Sequence, residues 1–128
     1  MKGLNNMSTR QVGIIDEKTI KLLGLDIAPG TPILLGNSNI LHMKESHPKA
    51  FEKYFTLIED ILKAPDYVNR NPKDNSIKYI KTMADHIVIG VRVSTKGNAF
   101  ARTIFTIEEW KFKQYADGGY LKEHSKKT

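Results

Sequence analysis

Two arginines lie within the most apolar part of the chain. Arg92 falls in the run at residues 86–94, and Arg102 falls in the run at residues 99–107. Arginine seldom lies among buried strands unless it is paired or serves a site, so we predict that these two bind an anion. Phosphate suits a guanidinium best, because the planar fork binds two oxygens and keeps its charge at any physiological pH.

Two histidines could move protons beside these arginines. His47 could act as a general acid or base, because an imidazole titrates near neutral pH. It could equally be an exposed cap, since it precedes Pro48, and proline is favoured at the first position of a helix. His42 could point into the same cleft, or it could cover the core beside Leu41. Both histidines are therefore candidates for acid–base chemistry.

Three further residues could bind or orient a phosphate group. Tyr79 and Lys81 share one face of a predicted strand, where they could stack a base and bind phosphate. The alternative places Tyr79 in the core and Lys81 at an edge, with its aliphatic stem on the protein. Thr103 could donate a hydrogen bond to phosphate or be an ordinary strand residue. For Arg102, the alternative to phosphate is a salt bridge to an acid such as Glu59.

The two arginine-bearing runs form a predicted hairpin around a turn at residues 95–98. If the numbers of paired residues sum to an odd number, Arg92 shares a face with Thr103. If they sum to an even number, as a three-residue bulged loop gives, Arg92 shares a face with Arg102. The sequence leaves this choice open, and the choice decides whether both arginines can bind one phosphate.

The rest of the chain supplies the helices and strands that position these side chains. Hydrophobic periodicity and capping residues predict helices at 17–23, 39–46, 48–63 and 108–116, main strands at 67–71, 76–83, 86–94 and 99–107, and short strands at 11–16 and 33–35. We therefore predict an α+β fold, with N-terminal helices packed on a four-stranded antiparallel β-meander and a short C-terminal helix. The 128 residues should form one domain, with a core at about 12–116 and flexible ends at 1–10 and 121–128.

Several kinds of chemistry are disfavoured by the motifs. The chain contains no cysteine, no glycine-rich phosphate loop, no Gly-x-Ser-x-Gly turn and no histidine spacing typical of a metal site. We therefore expect no cofactor and no metal. The remaining side chains suit RNA cleavage by its own 2′-hydroxyl, which requires a base, an acid and cations for the phosphate.

The overall charge favours an anionic partner. The formal net charge is +6, and small basic proteins commonly bind nucleic acid, although many are basic simply for solubility. No run has the length of a membrane helix, and residues 1–12 lack the apolar segment of a signal peptide. Together with the absence of cysteine, these features predict a cytoplasmic protein that does not bind a membrane.

Short motifs along the chain carry a resemblance to a known family. They are Gly36-Asn37-Ser38-Asn39-Ile40-Leu41-His42-Met43-Lys44 with His47-Pro48, Pro65-Asp66-Tyr67-Val68, Asn71-Pro72-Lys73-Asp74, Ser76-Ile77-Lys78-Tyr79-Ile80-Lys81, Val91-Arg92-Val93-Ser94 and Phe100-Ala101-Arg102-Thr103-Ile104-Phe105. Each motif is weak alone, but their order and spacing over residues 12–115 are fairly specific. On these motifs the chain resembles the phage-associated Barnase–EndoU–colicin–RelE-like nucleases, and among them the third phage-type subgroup.

This resemblance implies helices packed on a four-stranded antiparallel sheet, metal-independent ribonuclease activity, and coding on a phage or mobile element. We therefore predict a toxin-like endoribonuclease that acts on tRNA, mRNA or rRNA, with an inhibitor protein as a further partner. Its residues would be His47 or His42 for proton transfer, Arg102 with Arg92 or Lys81 for the phosphate, and Tyr79 or Thr103 for orientation. One alternative is a non-catalytic module that binds nucleic acid or a host protein, and a third is a structural protein of a virion.

Overall fold

The strands and helices of this chain follow one another in a simple order. The computed structural model describes residues 9–74, 76–94 and 96–124. Its strands are β1 (Arg10–Ile15), β2 (Thr31–Leu35), β3 (Tyr67–Arg70), β4 (Ser76–Thr82), β5 (His86–Val93), β6 (Ala99–Ile107) and β7 (Lys122–Glu123). Its α-helices are α1 (Glu17–Leu23), α2 (Asn37–Ser46), α3 (Pro48–Tyr54), α4 (Ile58–Lys63) and α5 (Glu109–Asp117). Residues 1–8 and 125–128, where flexible ends are expected, lie outside the described residues, as does Thr95, the first residue of the turn predicted at 95–98.

All of these strands join one mixed sheet in the order β1-β2-β6-β5-β4-β3-β7. Strands β3 to β6 form the predicted antiparallel meander. The prediction of a four-stranded sheet is nevertheless wrong, because β1 and β2 extend the meander beyond β6 and β2 pairs with β6 in parallel. On the other side β7 pairs with β3, so β3 is not the expected edge strand. The fold is α+β, as predicted, with a larger sheet.

The first helix has the limits that its capping residues predict. The Asp16 carboxylate accepts a hydrogen bond from the backbone N–H of Thr19 at 2.8 Å, which satisfies one of the N–H groups that a helix start leaves without a partner. The helix ends at Gly24, whose φ of 63° is left-handed and therefore favours glycine. Local sequence signals are sufficient to place this element.

The single helix predicted at 48–63 is interrupted. It consists of α3, a 3₁₀ turn at Phe55–Leu57 and α4. The first break falls at Tyr54, where a φ of −124° leaves the helical range, and the Tyr54 hydroxyl donates a hydrogen bond to Asp85 in the β4–β5 turn. Apolar periodicity alone does not reveal this break, since the buried residues Ile58, Ile61 and Leu62 keep the spacing of one continuous helix.

The two faces of the sheet are covered differently. Side chains of α1, α2, α3 and α4 contribute to the main core, whose fully buried centre on one face of the sheet includes Ile77, Ile89 and Ile104. On the other face, α5 covers one end. Its Phe112 ring stacks on His86 at a centroid distance of 4.0 Å and meets the ring of Tyr67 edge-on. No helix in the described residues is long and apolar enough to span a membrane.

Candidate functional site

A cleft of about 280 Å³ lies on the sheet face opposite the main core. It lies over β4, β5 and β6, and α2 contributes one side chain to it. The lining residues are His42, Asp74, Ser76, Lys78, Gly90, Val91, Arg92, Arg102 and Thr103. The cleft therefore gathers both arginines of the hairpin, a lysine, one histidine and two hydroxyl groups, a set suited to binding phosphate.

Gly90 forms the floor of the cleft. Lys78 on β4 and Thr103 on β6 are its direct cross-strand neighbours. A Cβ atom at Gly90 would come within 2.6 Å of Cγ2 of Thr103, a separation that real Cβ atoms do not show. Any larger residue at this position would displace Thr103, so glycine keeps the floor open.

A β-bulge in β6 brings Arg102 and Thr103 into the cleft together. Gly90 pairs with Thr103, whereas the next residue of β5, Val91, pairs with Ala101, which leaves Arg102 as the extra residue. Between the hairpin turn and the bulge, the numbers of paired residues sum to an even number, as for Val91 and Ala101. On the other side of the bulge they sum to an odd number, as for Gly90 and Thr103. Both alternatives left open by the sequence hold in part, and Arg92 shares the cleft with both residues.

The Arg102 guanidinium has no hydrogen bond or ion pair within the described residues. The expected alternative, a salt bridge to Glu59, is not formed, because Glu59 pairs with Arg10 instead. Arg92 lies near Asp74, whose pKa is lowered below 3.8 by hydrogen bonds from Ser76, with a smaller contribution from the positive charge of Arg92. At least one arginine of the cleft is therefore available to an external anion.

The two candidate histidines lie in different places. His42 lies on α2 and lines the cleft with Arg102 and Thr103. His47 lies at the junction of α2 and α3, where its ring is 5.4 Å from the ring of Phe105 and lines a separate pocket. The cleft thus brings His42, and not His47, beside the arginines.

Tyr79 and Lys81 lie on the sheet face opposite the cleft. Tyr79 pairs with Ile89 in the main core and is only 1% exposed, and burial raises the pKa of its phenol. Lys81 donates a hydrogen bond to the carbonyl oxygen of Ala64 at 3.0 Å and lies 3.4 Å from a carboxylate oxygen of Asp66. Neither side chain is among those that line the cleft.

Lys78 lines the cleft, although it is not among the site residues that the sequence predicts. Its ammonium nitrogen lies 5.6 Å from the centroid of the Tyr115 ring on α5, a distance typical of a cation–π contact. The signal that could have found it is the pairing of β4 with β5, which places Lys78 opposite Gly90 and Ser76 opposite Arg92. That register depends on the length of the β4–β5 turn.

The other two histidines take part in contacts that the sequence does not indicate. His86 lies between Thr82, at 2.8 Å, and Glu109, at 2.6 Å, beneath the Phe112 ring. His124, in the C-terminal segment expected to be flexible, is only 7% exposed and lies 3.2 Å from the carboxylate of Asp16. The contacts with Glu109 and with Asp16 join distant parts of the chain.

The family assignment comes from a comparison with protein-family models. A model described as phage-Barnase-EndoU-ColicinE5/D-RelE like nuclease3 matches residues 10–114, which is most of the chain. The chain belongs to this family. The resemblance inferred from the sequence motifs is thereby confirmed, and the matched segment of this nuclease family extends from β1 into α5 and contains every residue that lines the cleft.

Membership in this nuclease family implies a nucleic-acid substrate. No curated protein and no solved structure matches the chain. Within the part of the chain that the structure describes, no group of three or more histidine or acidic side chains is arranged to hold a metal ion.

Proposed function

We propose that the protein is a metal-independent endoribonuclease, toxin-like and encoded by a phage or mobile element. The 2′-hydroxyl of one nucleotide attacks the adjacent phosphorus, the bond to the 5′-oxygen of the next nucleotide breaks, and the product carries a 2′,3′-cyclic phosphate. The observation that carries this proposal is the convergence of Arg92, Arg102, Thr103 and His42 on one cleft of a chain from a nuclease family.

In this proposal the cations of the cleft stabilise the charge that develops on the phosphate. Attack by the 2′-hydroxyl converts a phosphodiester with one negative charge into a pentacovalent species with more negative charge. Arg102 and Arg92 bind its oxygens through their guanidinium groups, and Lys78 adds a third positive charge. The Thr103 hydroxyl donates a hydrogen bond to one oxygen and so fixes the orientation of the phosphate.

His42 serves in this proposal as a proton-transfer group, because it is the histidine that lines the cleft. It takes the proton of the 2′-hydroxyl or supplies one to the leaving 5′-oxygen. His47 remains the alternative, and its separate pocket beside Phe105 makes the two histidines easy to distinguish by substitution.

The proposal is tested by incubating the purified protein with total RNA and with tRNA in EDTA. Wild type should cleave, and His42→Ala should lower the rate by about 10²–10⁴-fold, the usual contribution of a general acid or base. His47→Ala should cleave at nearly the wild-type rate. Loss of cleavage in His47→Ala alone would transfer the proton-transfer role to His47, and no cleavage of any RNA by wild type would contradict the proposal.

A second candidate function is a non-catalytic module that binds nucleic acid on the same fold. It is favoured by one observation, namely that the described residues place only one histidine, His42, in the cleft. Such a module would retain RNA in a filter-binding assay without cleaving it, and Arg102→Ala would weaken the binding.

A further inference from the structure

Asp74 is the one carboxylate among the described residues that line the cleft. Its Oδ1 atom accepts hydrogen bonds from the backbone N–H of Ser76 at 3.1 Å and from the Ser76 hydroxyl at 2.7 Å. These two bonds tie the carboxylate to the residue that begins β4. A negative charge is thus fixed beside a site that otherwise attracts anions.

The position of Asp74 relative to Arg92 makes this charge relevant to ligand binding. Ser76 lies directly opposite Arg92 in the pairing of β4 with β5, so Asp74 and Arg92 lie at the same end of the cleft. Within the described residues no salt bridge joins Asp74 to Arg92. The guanidinium therefore stays available to a ligand, while the carboxylate remains near enough to repel a second negative charge.

We propose that Asp74 is a specificity-determining residue that shifts the selectivity of the cleft toward an internal phosphodiester and away from a terminal phosphate monoester. This inference rests on the proposed function, since it assumes that the arginines bind a phosphate group of RNA. A phosphodiester carries one negative charge, whereas a monoester carries about −1.5 to −2 at pH 7. The positive charges of Lys78, Arg92 and Arg102 attract the monoester more strongly than the diester, because the monoester carries more negative charge. The fixed carboxylate repels the monoester more strongly for the same reason, so it offsets part of that advantage.

The expected effect is modest because Asp74 is exposed and solvent screens its charge. The Asp74 charge should change the ratio of the two ligand affinities by about threefold to tenfold, which is the scale of an interaction between two charges near a protein surface. It is also sensitive to salt, since the screening length falls from about 10 Å at 0.1 M to about 3 Å at 1 M ionic strength. A preference that came from shape alone would not change with salt.

The test compares two ligands that the protein cannot cleave. One is a deoxydinucleoside monophosphate, which holds a phosphodiester and lacks the 2′-hydroxyl, and the other is a deoxynucleoside 3′-monophosphate. Affinities are measured by calorimetry at about pH 8, where the monoester is fully dianionic because its second pKa is about 6. In low salt Asp74→Asn should raise the affinity for the monoester about fivefold more than the affinity for the diester, and high salt should remove the difference.

Matched variants identify the cause. Asp74→Asn keeps an oxygen for the Ser76 hydrogen bonds, so it removes the charge with little change of shape. Asp74→Glu should retain the wild-type preference. Asp60→Asn, which removes an exposed carboxylate from α4 on the other face of the sheet, should also retain it.

Each outcome decides a separate claim. If both ligands bind, Arg102→Ala weakens both, and Asp74→Asn leaves their ratio unchanged, the role of Asp74 is wrong while the phosphate site stands. An equal gain for both ligands in Asp74→Asn would also overturn the selective role. If neither ligand binds wild type, or if Arg102→Ala binds as tightly as wild type, the phosphate site itself is wrong and this inference with it.

Discussion

Gly90 lies directly opposite Thr103, and a Cβ atom at Gly90 would lie only 2.6 Å from the methyl carbon of Thr103. The pair formed by Gly90 and Thr103 lies directly beside the bulge at Arg102. The sequence shows a glycine, a threonine and an arginine at separate positions in two apolar strands. In the folded chain these three residues line one cleft.

The methyl group added by Gly90→Ala should therefore occupy part of the cleft. The added methyl group must displace the side chain of Thr103, and overpacking of this kind costs about 1–3 kcal/mol of unfolding free energy. RNA binding should weaken because the cleft becomes smaller. Urea denaturation and a filter-binding assay measure the two effects.

The control for this prediction removes Cγ2 of Thr103, the atom with which the new methyl group clashes. In Gly90→Ala combined with Thr103→Ser, the Cγ2 methyl is absent while the hydroxyl remains, so part of the lost stability should return. If the double variant is less stable than Gly90→Ala alone, the clash with Thr103 is not the cause.

Tyr79→Phe should leave RNA cleavage unchanged and should maintain or raise stability. The Tyr79 hydroxyl is buried without a hydrogen-bond partner in the described residues, and burying an unsatisfied polar group costs about 1–3 kcal/mol. Removing this hydroxyl should therefore not lower the unfolding free energy measured by urea. A large loss of cleavage with normal stability would instead restore Tyr79 as a site residue.

Acid should weaken the contact between Asp16 and His124. Burial alone would raise the pKa of Asp16, but its contacts with Thr19 and His124 outweigh burial and lower the pKa below the ordinary 3.8. The charged carboxylate therefore stabilises the fold above its ordinary pKa, and this stability is lost as the pH falls through the lower folded pKa.

Asp16→Asn tests this pH dependence, because it keeps an oxygen for the N–H of Thr19 and loses the charge. The unfolding free energy of the variant should fall less steeply than that of wild type below about pH 4. Denaturation at several pH values measures both slopes, with Asp60→Asn as a control for the loss of one exposed carboxylate. Equal slopes for wild type and Asp16→Asn would show that the contact does not stabilise the fold.

His86 and His42 should respond to substitution in opposite ways. His86→Ala removes the stack on Phe112 and the hydrogen bonds to Thr82 and Glu109, so it should cost about 1–3 kcal/mol of stability while cleavage remains. His42→Ala alters an exposed residue of α2 and should reduce cleavage without loss of stability. Thermal unfolding and an RNA cleavage assay on both variants check this contrast, which fails if His86→Ala abolishes cleavage in a folded protein.

Much of the fold follows from local sequence signals. Asp16 and Gly24 delimit α1, and the alternation of apolar residues identifies the strands of the meander. The joining of β2 to β6 in parallel could not be predicted in the same way, because it pairs strands that are far apart in the sequence and no local pattern marks such a pairing. The two-residue strand β7 is too short to carry a periodic pattern, and it is positioned by its pairing with β3 and by the buried His124 beside it.

The candidate site shows how one residue in a turn decides which side chains meet. The sequence predicts a link at residues 84–85, which would end β4 at Met83. The observed strand ends at Thr82, which pairs with His86, so the turn holds three residues. That single residue reverses the faces of β4, because side chains alternate along a strand. It places Lys78 in the cleft and Tyr79 in the core.

The bulge in β6 also decides, through a single residue, which side chains meet in the cleft. No pattern in the sequence marks Arg102 as an extra residue, since Ala101, Arg102 and Thr103 fit an unbroken strand equally well. The two arginines of the hairpin do line one cleft. Their convergence with Thr103 and His42 depends on long-range pairing, which only the folded chain specifies.

The most direct test of the phosphate site is the cleavage of one defined RNA oligonucleotide in EDTA by wild type, Arg102→Ala and Arg10→Ala. Arg10 pairs with Glu59 away from the cleft and controls for the loss of a positive charge. We predict a 2′,3′-cyclic phosphate product, a fall in kcat/KM of about 10²–10³-fold for Arg102→Ala, as for the loss of an oxyanion-binding group, and a nearly unchanged value for Arg10→Ala. Equal cleavage by folded Arg102→Ala and wild type would contradict the account.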